Sequence, residues 1–212
     1  MIRKYFKIAA YLVMATTVLC AIAGAYEDFV QAVNRDDGNT VRSLLQRGLD
    51  PNSRRPEGQT GLHLALRDHS ARVAEALWAS PTLDLNALNV SGETPLMIAA
   101  LRGDQAWAQR LLERGAKTHK EGWSPIHYAA TGPEPKLLAL LLDRGAPINA
   151  TSPNRSTPLM MAARYGAEAN VDLLLARGAD KALRNDQGLS AGDFAKLGGR
   201  EFLLQRLNVA PK

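Results

Sequence analysis

Histidines are the first residues to consider for catalysis or metal binding, and the 212-residue chain has four of them, His63, His69, His119 and His127. A helical zinc pair needs two histidines four positions apart, so that both rings reach one ion from the same helix face. No two of the four have that spacing. The single cysteine, Cys20, lies in the apolar N-terminal segment and completes no site. The sequence therefore predicts neither a metal ion nor a cofactor.

Catalytic nucleophiles and acid–base pairs are also not apparent. The chain has no Gly-x-Ser-x-Gly elbow, which serine hydrolases use to expose their nucleophile. The glycines at Gly166 and at Gly198 and Gly199 lack the lysine of a phosphate-binding loop. Asp36 and Asp37 are adjacent, but we expect them in a solvated turn, whereas acid–base catalysis needs a buried cleft that shifts a pKa. No catalytic residue is predicted, and the protein is predicted not to be an enzyme.

Two motifs recur along the chain in a fixed phase. The first consists of Thr or Ser, then Pro or Gly, then apolar residues with alanines, and it begins at Thr60, Thr94, Ser124, Thr157 and, in a degraded form, Ser190. The spacing between these starts is nearly constant. The second motif, Leu-Leu-x-Arg-Gly, ends at Gly48, Gly115, Gly145 and Gly178. A period of roughly 33 residues, which both motifs share, indicates a repeat architecture.

Each repeat encodes a pair of short helices. The Thr or Ser hydroxyl can cap the free N–H groups of a helix whose first turn tolerates Pro. The alanines let a neighbouring helix approach closely, and the leucine-rich stretch that follows has the spacing of a second amphipathic helix. The glycine after Arg ends this second helix, because glycine adopts a left-handed conformation at low cost. One such unit cannot bury its apolar faces alone, so we expect the units to stack.

The two motifs resemble those of the ankyrin-repeat family, from about Asp28 to Leu207. The resemblance implies an all-α solenoid of about six stacked helix-turn-helix units with β-hairpin-like connecting loops, or fingers. We predict an ankyrin-repeat domain over residues 26–212, with units at about 28–52, 53–86, 87–118, 119–149, 150–180 and 181–207. The first and last units have the polar character of caps.

Two histidines and two methionines occupy one position of the family motif. His63 and His127 stand where the family has a structural histidine, so hydrogen bonding to nearby backbone is expected of both. Met97 and Met160 replace that histidine in two other units. We expect the corresponding hydrogen bonds to be missing there.

The resemblance also implies a non-catalytic scaffold that binds another protein through its concave face, formed by the fingers and the first helix of each unit. Several exposed positions on that face are of types enriched at binding hot spots. The partner-binding candidates are Arg54, Arg55, Arg67, Glu93, Arg102, Lys120, Trp123, Tyr128, Arg155, Arg164 and Tyr165. An alternative for Trp123 and Tyr128 is that they only pack between fingers. Trp78 and Trp107 are expected in the core.

The N-terminal segment has the layout of a secretory signal peptide. Met1 to Lys7 is short and basic, and Ile8 to Ile22 is apolar apart from two threonines. Small residues precede two possible cleavage points, after Ala25 and after Ala23. We predict a signal peptide over residues 1–25. An uncleaved anchor is the alternative, because the stretch from Ile8 to Ala25 carries no charge and is just long enough to span a bilayer. A lipid anchor on Cys20 is disfavoured by the bulky residue just before it.

Charge gives no reason to expect a nucleic-acid partner. The formal net charge of the whole chain is +5, but three of its 26 basic residues lie in the first seven positions and no acidic residue precedes Glu27. Residues 26–212 therefore carry a net charge of only +2, which is ordinary for a soluble surface. We predict a periplasmic or secreted monomer that binds a protein, with no small-molecule substrate and with membrane association only if the leader is uncleaved. The alternative function is a stabilising accessory of an exported enzyme.

Overall fold

The computed structural model describes residues 24–55 and 57–207, and the chain divides into two compact units, Met1–Asp84 and Leu85–Lys212. The predicted signal peptide lies outside the described residues except for its last two positions, which begin a helix at residues 24–34 (α1). Among the described residues no helix has the length and apolar character needed to cross a bilayer.

The first compact unit contains two helix pairs. α1 is followed by α2 (Gly38–Gln46), and α3 (Gly61–Arg67) is followed by α4 (Ala71–Trp78). α4 packs against both α2 and α3. The core that these helices enclose is apolar and includes Phe29, Val41, Leu62 and Leu77, each at most 1% exposed.

The second compact unit repeats the pairing four times. Its helices are α5 (Pro95–Arg102), α6 (Gln105–Glu113), α7 (Pro125–Thr131), α8 (Pro135–Asp143), α9 (Pro158–Tyr165), α10 (Glu168–Ala176), α11 (Ala191–Leu197) and α12 (Leu204–Leu207), with a 3₁₀ turn at Glu201–Leu203 before α12. α5, α7, α9 and α11 pack side by side in this order, and we call them the first-helix row. α6, α8 and α10 form a second layer. The predicted all-α architecture of paired, stacked helices is confirmed.

The helix ends form as the motifs predict. Thr94 caps α5 by accepting a hydrogen bond from the backbone N–H of Met97 at 3.3 Å, and Pro95 fills the first helical position, where its missing N–H costs nothing. At the other end of the repeat, Gly115 has a φ of 98°, and its N–H donates to the Leu112 carbonyl at 3.1 Å. Because left-handed backbone favours glycine, the Arg-Gly pair stops each second helix at the same place.

The fingers are built mainly from tight turns, with little pairing of β-strands. In four of them a backbone N–H donates to the carbonyl four residues on, at 2.8–3.0 Å: from Arg55 to Gln59, from Asn89 to Glu93, from Ser152 to Ser156 and from Asn185 to Leu189. One isolated antiparallel bridge, between Arg54 and Thr60, is the β-type pairing in the described part of the chain. The predicted hairpin-like loops are therefore present in a minimal form.

Adjacent repeats are joined where the first helices end. Asn170 on α10 is fully buried, and its side-chain Nδ2 donates to the carbonyls of Ala129, Ala130 and Gly132 at 2.9–3.3 Å. Arg200 acts in the same way on α9, since its Nη1 donates to the Ala162 carbonyl at 2.9 Å. The last carbonyls of a helix have no partner within that helix. In both cases the next repeat supplies an additional donor at that end.

Candidate functional site

A shallow apolar depression of about 180 Å³ opens on the side of the second unit where a finger meets the first-helix row. It is lined by one finger residue and by side chains from α5, α7 and α9, which are Leu101, Trp123, His127, Tyr128, Thr131 and Met161. The depression therefore spans three consecutive repeats. Two of the predicted partner-binding residues, Trp123 and Tyr128, are brought together here.

Trp123 forms the finger wall of the depression and is half-buried. Its ring meets the His127 ring edge to face, with the centroids 5.3 Å apart and the planes at 77°. The Lys120 ammonium donates to the Trp123 carbonyl at 2.9 Å and to the Glu121 carbonyl at 3.0 Å. This lysine, another predicted partner-binding residue, thus braces the finger that carries Trp123.

Tyr128 forms the helix wall and is also half-buried. Its hydroxyl donates to Glu93 Oε1 at 2.9 Å, while Glu93 Oε2 accepts from the Asn89 side chain at 2.7 Å. Burial, followed by the hydrogen bond to Glu93, raises the pKa of Tyr128. The phenol therefore stays protonated and keeps its ring fixed against the preceding finger. Tyr128 thus packs against a finger, as the alternative interpretation of the sequence proposed, and its ring also lines the depression.

His127 lies at the floor of the depression and is 1% exposed. Its Nε2 is 3.1 Å from the Ala150 carbonyl and 3.2 Å from the Ser156 carbonyl. Since carbonyls only accept hydrogen bonds, Nε2 carries the proton, and Nδ1 accepts from the Ser124 backbone N–H at 3.3 Å. Burial lowers the pKa of His127, so the ring is neutral. The predicted hydrogen bonding to backbone is confirmed for His127. The His63 ring bonds a side chain, with its Nδ1 2.7 Å from Thr60 Oγ1.

The expectation that Met97 and Met160 simply lose these hydrogen bonds is only half right. The Met97 sulfur accepts from the Thr94 backbone N–H at 3.3 Å, and the Met160 sulfur accepts from that of Thr157 at 3.4 Å. A thioether is a weak acceptor and has no N–H to donate. The methionine sulfur can therefore replace the imidazole Nδ1 as acceptor within its own repeat. It cannot replace the Nε2–H that donates to carbonyls of the next finger.

The remaining candidates of the second unit do not line the depression. Tyr165, 56% exposed, holds the Arg164 guanidinium over its ring at 4.9 Å. Arg102 is exposed at the end of α5. Arg155 is exposed at a finger tip with a φ of 60°, and its Nε lies 3.9 Å from Asp186 Oδ1. Tyr165 therefore does not line the depression together with Trp123 and Tyr128.

Three arginine candidates belong to the first unit. Arg54 Nη1 donates to the Gly58 carbonyl at 3.0 Å, Arg55 Nη2 donates to the Asn34 side chain at 2.7 Å, and Arg67 Nε pairs with Asp68 at 2.8 Å. All three are engaged with their own unit and remain candidates for binding a partner.

The prediction that Trp78 and Trp107 lie in the core is wrong. Both side chains are half-buried, and Arg110 places its guanidinium 4.1 Å from the centre of the Trp107 ring. The apolar spacing correctly placed them on second helices. For Trp107, which lies on α6 in the second layer, the Arg110 guanidinium covers part of the ring.

The sequence prediction missed Leu101, Thr131 and Met161. Leu101 is 43% exposed on α5, at the repeat position that Arg67 and Arg164 occupy elsewhere. A large aliphatic residue at a position that is charged in other repeats was the available signal.

The adjacent acidic residues considered above, Asp36 and Asp37, both accept backbone hydrogen bonds. Asp37 caps α2 through the backbone N–H of Thr40 at 3.1 Å, and Asp36 accepts from the Val73 N–H at 2.9 Å. A hydrogen bond from the Thr40 hydroxyl lowers the pKa of Asp37, as expected of a structural cap. Among the described residues no three His, Cys, Asp or Glu side chains are grouped so as to hold a metal ion.

Comparison with known families agrees with the geometry. A family model described as "Ankyrin repeats (3 copies)" matches residues 29–121 and 109–185. The chain belongs to the ankyrin-repeat family. The ankyrin repeats indicate a protein–protein interaction scaffold.

Individual relatives extend this result. The chain is 36% identical over 152 residues to the mouse B-cell lymphoma 3 protein homolog, covering 68% of this chain and 34% of the relative. It is 30% identical over 159 residues to the human transient receptor potential cation channel subfamily A member 1, covering 70% of this chain and 14% of the relative. The chain thus spans about a third or less of the length of these relatives.

Two solved structures also share the fold. The crystal structure of the Bcl-3 ankyrin repeat domain matches with a TM-score of 0.66 and 33% identity, over 82% of this chain and 79% of that chain. A structure of a predatory endopeptidase from Bdellovibrio bacteriovorus in complex with an immunity protein contains a chain that matches with a TM-score of 0.71 and 27% identity. That match covers 85% of this ankyrin-repeat protein and 98% of the other chain.

Proposed function

We propose that this ankyrin-repeat protein is exported and binds a periplasmic or envelope protein on the face formed by the fingers and the first-helix row. The observation that carries the binding proposal is the depression bounded by Trp123 and Tyr128, since half-buried aromatic rings around an apolar recess are typical of interface hot spots. Export is inferred from the signal-like segment alone.

The binding face is tested by capture of a partner from the periplasm of cells that produce the protein. Trp123→Ala removes one wall of the depression and should weaken capture at least about tenfold, the effect of a moderate hot spot. Trp107→Ala is the matched control, because that ring is equally half-buried but lies on the second-helix layer. Both variants should keep the helical circular dichroism of the original protein. Equal capture by both variants would show that a different face is used.

Cleavage of the leader is tested by mass spectrometry of the N-terminus of the protein recovered from cells. We expect a mature chain that begins at Tyr26, or at Gly24 if the alternative site is used. A chain that begins at Met1 or Ile2 and sediments with membranes contradicts a removed leader and supports anchoring.

A second candidate function is an accessory or inhibitor of an exported enzyme. It is favoured by the structural neighbour, in which a chain of the same fold occurs in a complex of an endopeptidase with its immunity protein. Assaying a captured partner for peptidase activity, with and without an excess of this protein, distinguishes the two. Suppression or stabilisation of an activity supports the accessory function, whereas capture of a non-enzyme supports a simple scaffold.

A further inference from the structure

The depression is too small for an ordinary small-molecule ligand. Its volume of about 180 Å³ lies below the roughly 300–1,000 Å³ of pockets that bury such ligands. It has room for a single side chain of a partner. The guest must therefore be one residue of a longer segment that lies across the first-helix row.

The lining favours an apolar guest. The Tyr128 hydroxyl is bound to Glu93, the Thr131 hydroxyl donates to the Tyr128 carbonyl at 2.8 Å, and both ring nitrogens of His127 are engaged. A polar guest would lose its hydration without gaining hydrogen bonds from these three lining side chains, which is unfavourable. An aliphatic side chain loses nothing on entry and covers the exposed apolar surface of Leu101 and Met161.

The surroundings of the depression favour acidic neighbours for that guest. Arg102 directly follows Leu101, and Arg164 lies one helical turn after Met161, so an arginine follows a lining residue on each of two first helices. Neither arginine forms an ion pair with another described residue. The carboxylate on the finger side, Glu93, already accepts a hydrogen bond on each oxygen.

One acidic side chain, that of Glu134, lies near the end of α5 that carries Arg102. Glu134 begins the turn into α8 and packs beside Gly103. Arg164 is therefore the better anchor for a carboxylate. Its guanidinium face rests on Tyr165, and stacking of this kind leaves the N–H groups at the edge free to bind a carboxylate in a bidentate manner.

We propose that the depression receives an aliphatic side chain from an acidic segment of the partner, whose carboxylates pair with Arg164 and Arg102. This inference rests on the proposed binding function and specifies the chemistry of the partner. The aliphatic residue supplies burial, and the acidic neighbours supply orientation and charge complementarity across the first-helix row.

The test is a titration of the purified chain, labelled with ¹³C at methionine methyl groups, with three short peptides followed by NMR. The probes are Asp-Glu-Leu-Asp-Glu, the same peptide with Gly for Leu, and Lys-Lys-Leu-Lys-Lys, all with blocked termini. Met161 lines the depression, whereas Met97 and Met160 are at most 1% exposed and serve as internal references. Only the first peptide should shift the Met161 methyl signal strongly while leaving the references in place.

A charge-reversal variant tests the contribution of Arg164 to peptide binding apart from that of the apolar depression. Arg164→Glu should weaken binding of the acidic peptide about tenfold, because it replaces an attraction at short range with a repulsion. Arg144→Glu is the control, since this exposed arginine ends the second-layer helix α8, and it should leave binding unchanged. Raising the salt from 0.05 to 0.5 M should also weaken binding, as screening at this ionic strength acts over a few ångströms.

Specific outcomes overturn the inference. A Met161 shift as large with the basic peptide, or with the glycine peptide, refutes the proposed chemistry of the partner. A Met161 shift on concentrating the protein alone shows that a second copy of the chain occupies the depression. If no peptide binds but Trp123→Ala still abolishes partner capture, this inference fails while the proposed function stands. If Trp123→Ala has no effect on capture, the proposed binding face fails first.

Discussion

His127 offers a sharp test of how the repeats are joined. Replacing it by Met imitates the protein itself, because Met97 and Met160 occupy the same position in neighbouring repeats. In the His127→Met variant the sulfur can still accept from the Ser124 N–H, as the other two methionines do from their threonines. It cannot donate to the carbonyls of Ala150 and Ser156, which lie 3.1 and 3.2 Å from Nε2.

The size of the effect follows from that loss. A buried acceptor left without its donor costs about 1–3 kcal/mol. The Ser156 carbonyl keeps its hydrogen bond from the Ser152 N–H, so the loss falls on the Ala150 carbonyl, and we expect about 2 kcal/mol at pH 7.5. For a chain of this length such a loss lowers the melting temperature by about 4–8 °C. Urea unfolding followed by circular dichroism measures the free energy directly. His119→Met, the same change at an exposed finger residue, should stay within about 0.5 kcal/mol of the original.

The pH dependence provides a second, independent check. Burial holds the pKa of His127 below its ordinary value of 6.5, so at lower pH the unfolded chain binds a proton that the folded chain does not. The stability supplied by neutral His127 is therefore complete above about pH 6.5 and declines as the pH falls toward the lowered pKa. The deficit of His127→Met should thus be smaller at pH 5 than at pH 7.5. A deficit no larger than that of an ordinary surface substitution, or one of equal size at both pH values, refutes this account.

Two further substitutions probe the contacts between repeats, each by urea unfolding. Gly166→Ala would place a Cβ only 2.0 Å from the Ala130 carbonyl oxygen and should cost more than about 3 kcal/mol, whereas Gly178→Ala, which has a φ of 85° and open space around it, should cost only about 1 kcal/mol. Similar losses for the two glycines would show that the close approach at Gly166 relaxes freely. Asn170→Ala removes the donor to three carbonyls at the end of α7 and should cost about 2–3 kcal/mol. A negligible loss would mean that those carbonyls find other partners.

The local signals in the sequence were sufficient for the helices. A hydroxyl residue before Pro and a Gly after Arg determine where a helix starts and stops, and both act within a few residues of the backbone groups that they satisfy. Thr94, Thr157 and Gly115 therefore behave as predicted. The same is true of His127, because its position in the motif places it against the following finger.

The sequence was less informative about exposure. Helical spacing places Trp107 on the apolar face of its helix, but it does not show whether another helix packs over that face. In the structure, the Arg110 guanidinium lies over the Trp107 ring. In the same way, Leu101 and Met161 become parts of one recess only because three repeats stack in register around Tyr128. Such a surface is a property of several repeats together, and no single repeat contains its signature.

The side chains of Asn170 and Arg200 both donate to carbonyls of residues that come earlier in the sequence. Each closes the end of a helix that was synthesised well before it, with separations of 40 residues from Asn170 to Ala130 and 38 from Arg200 to Ala162. A growing polypeptide must therefore leave α7 and α9 frayed until the following repeat emerges. A nonsense mutation just before Arg200 would consequently loosen not only the truncated repeat but also the intact one before it.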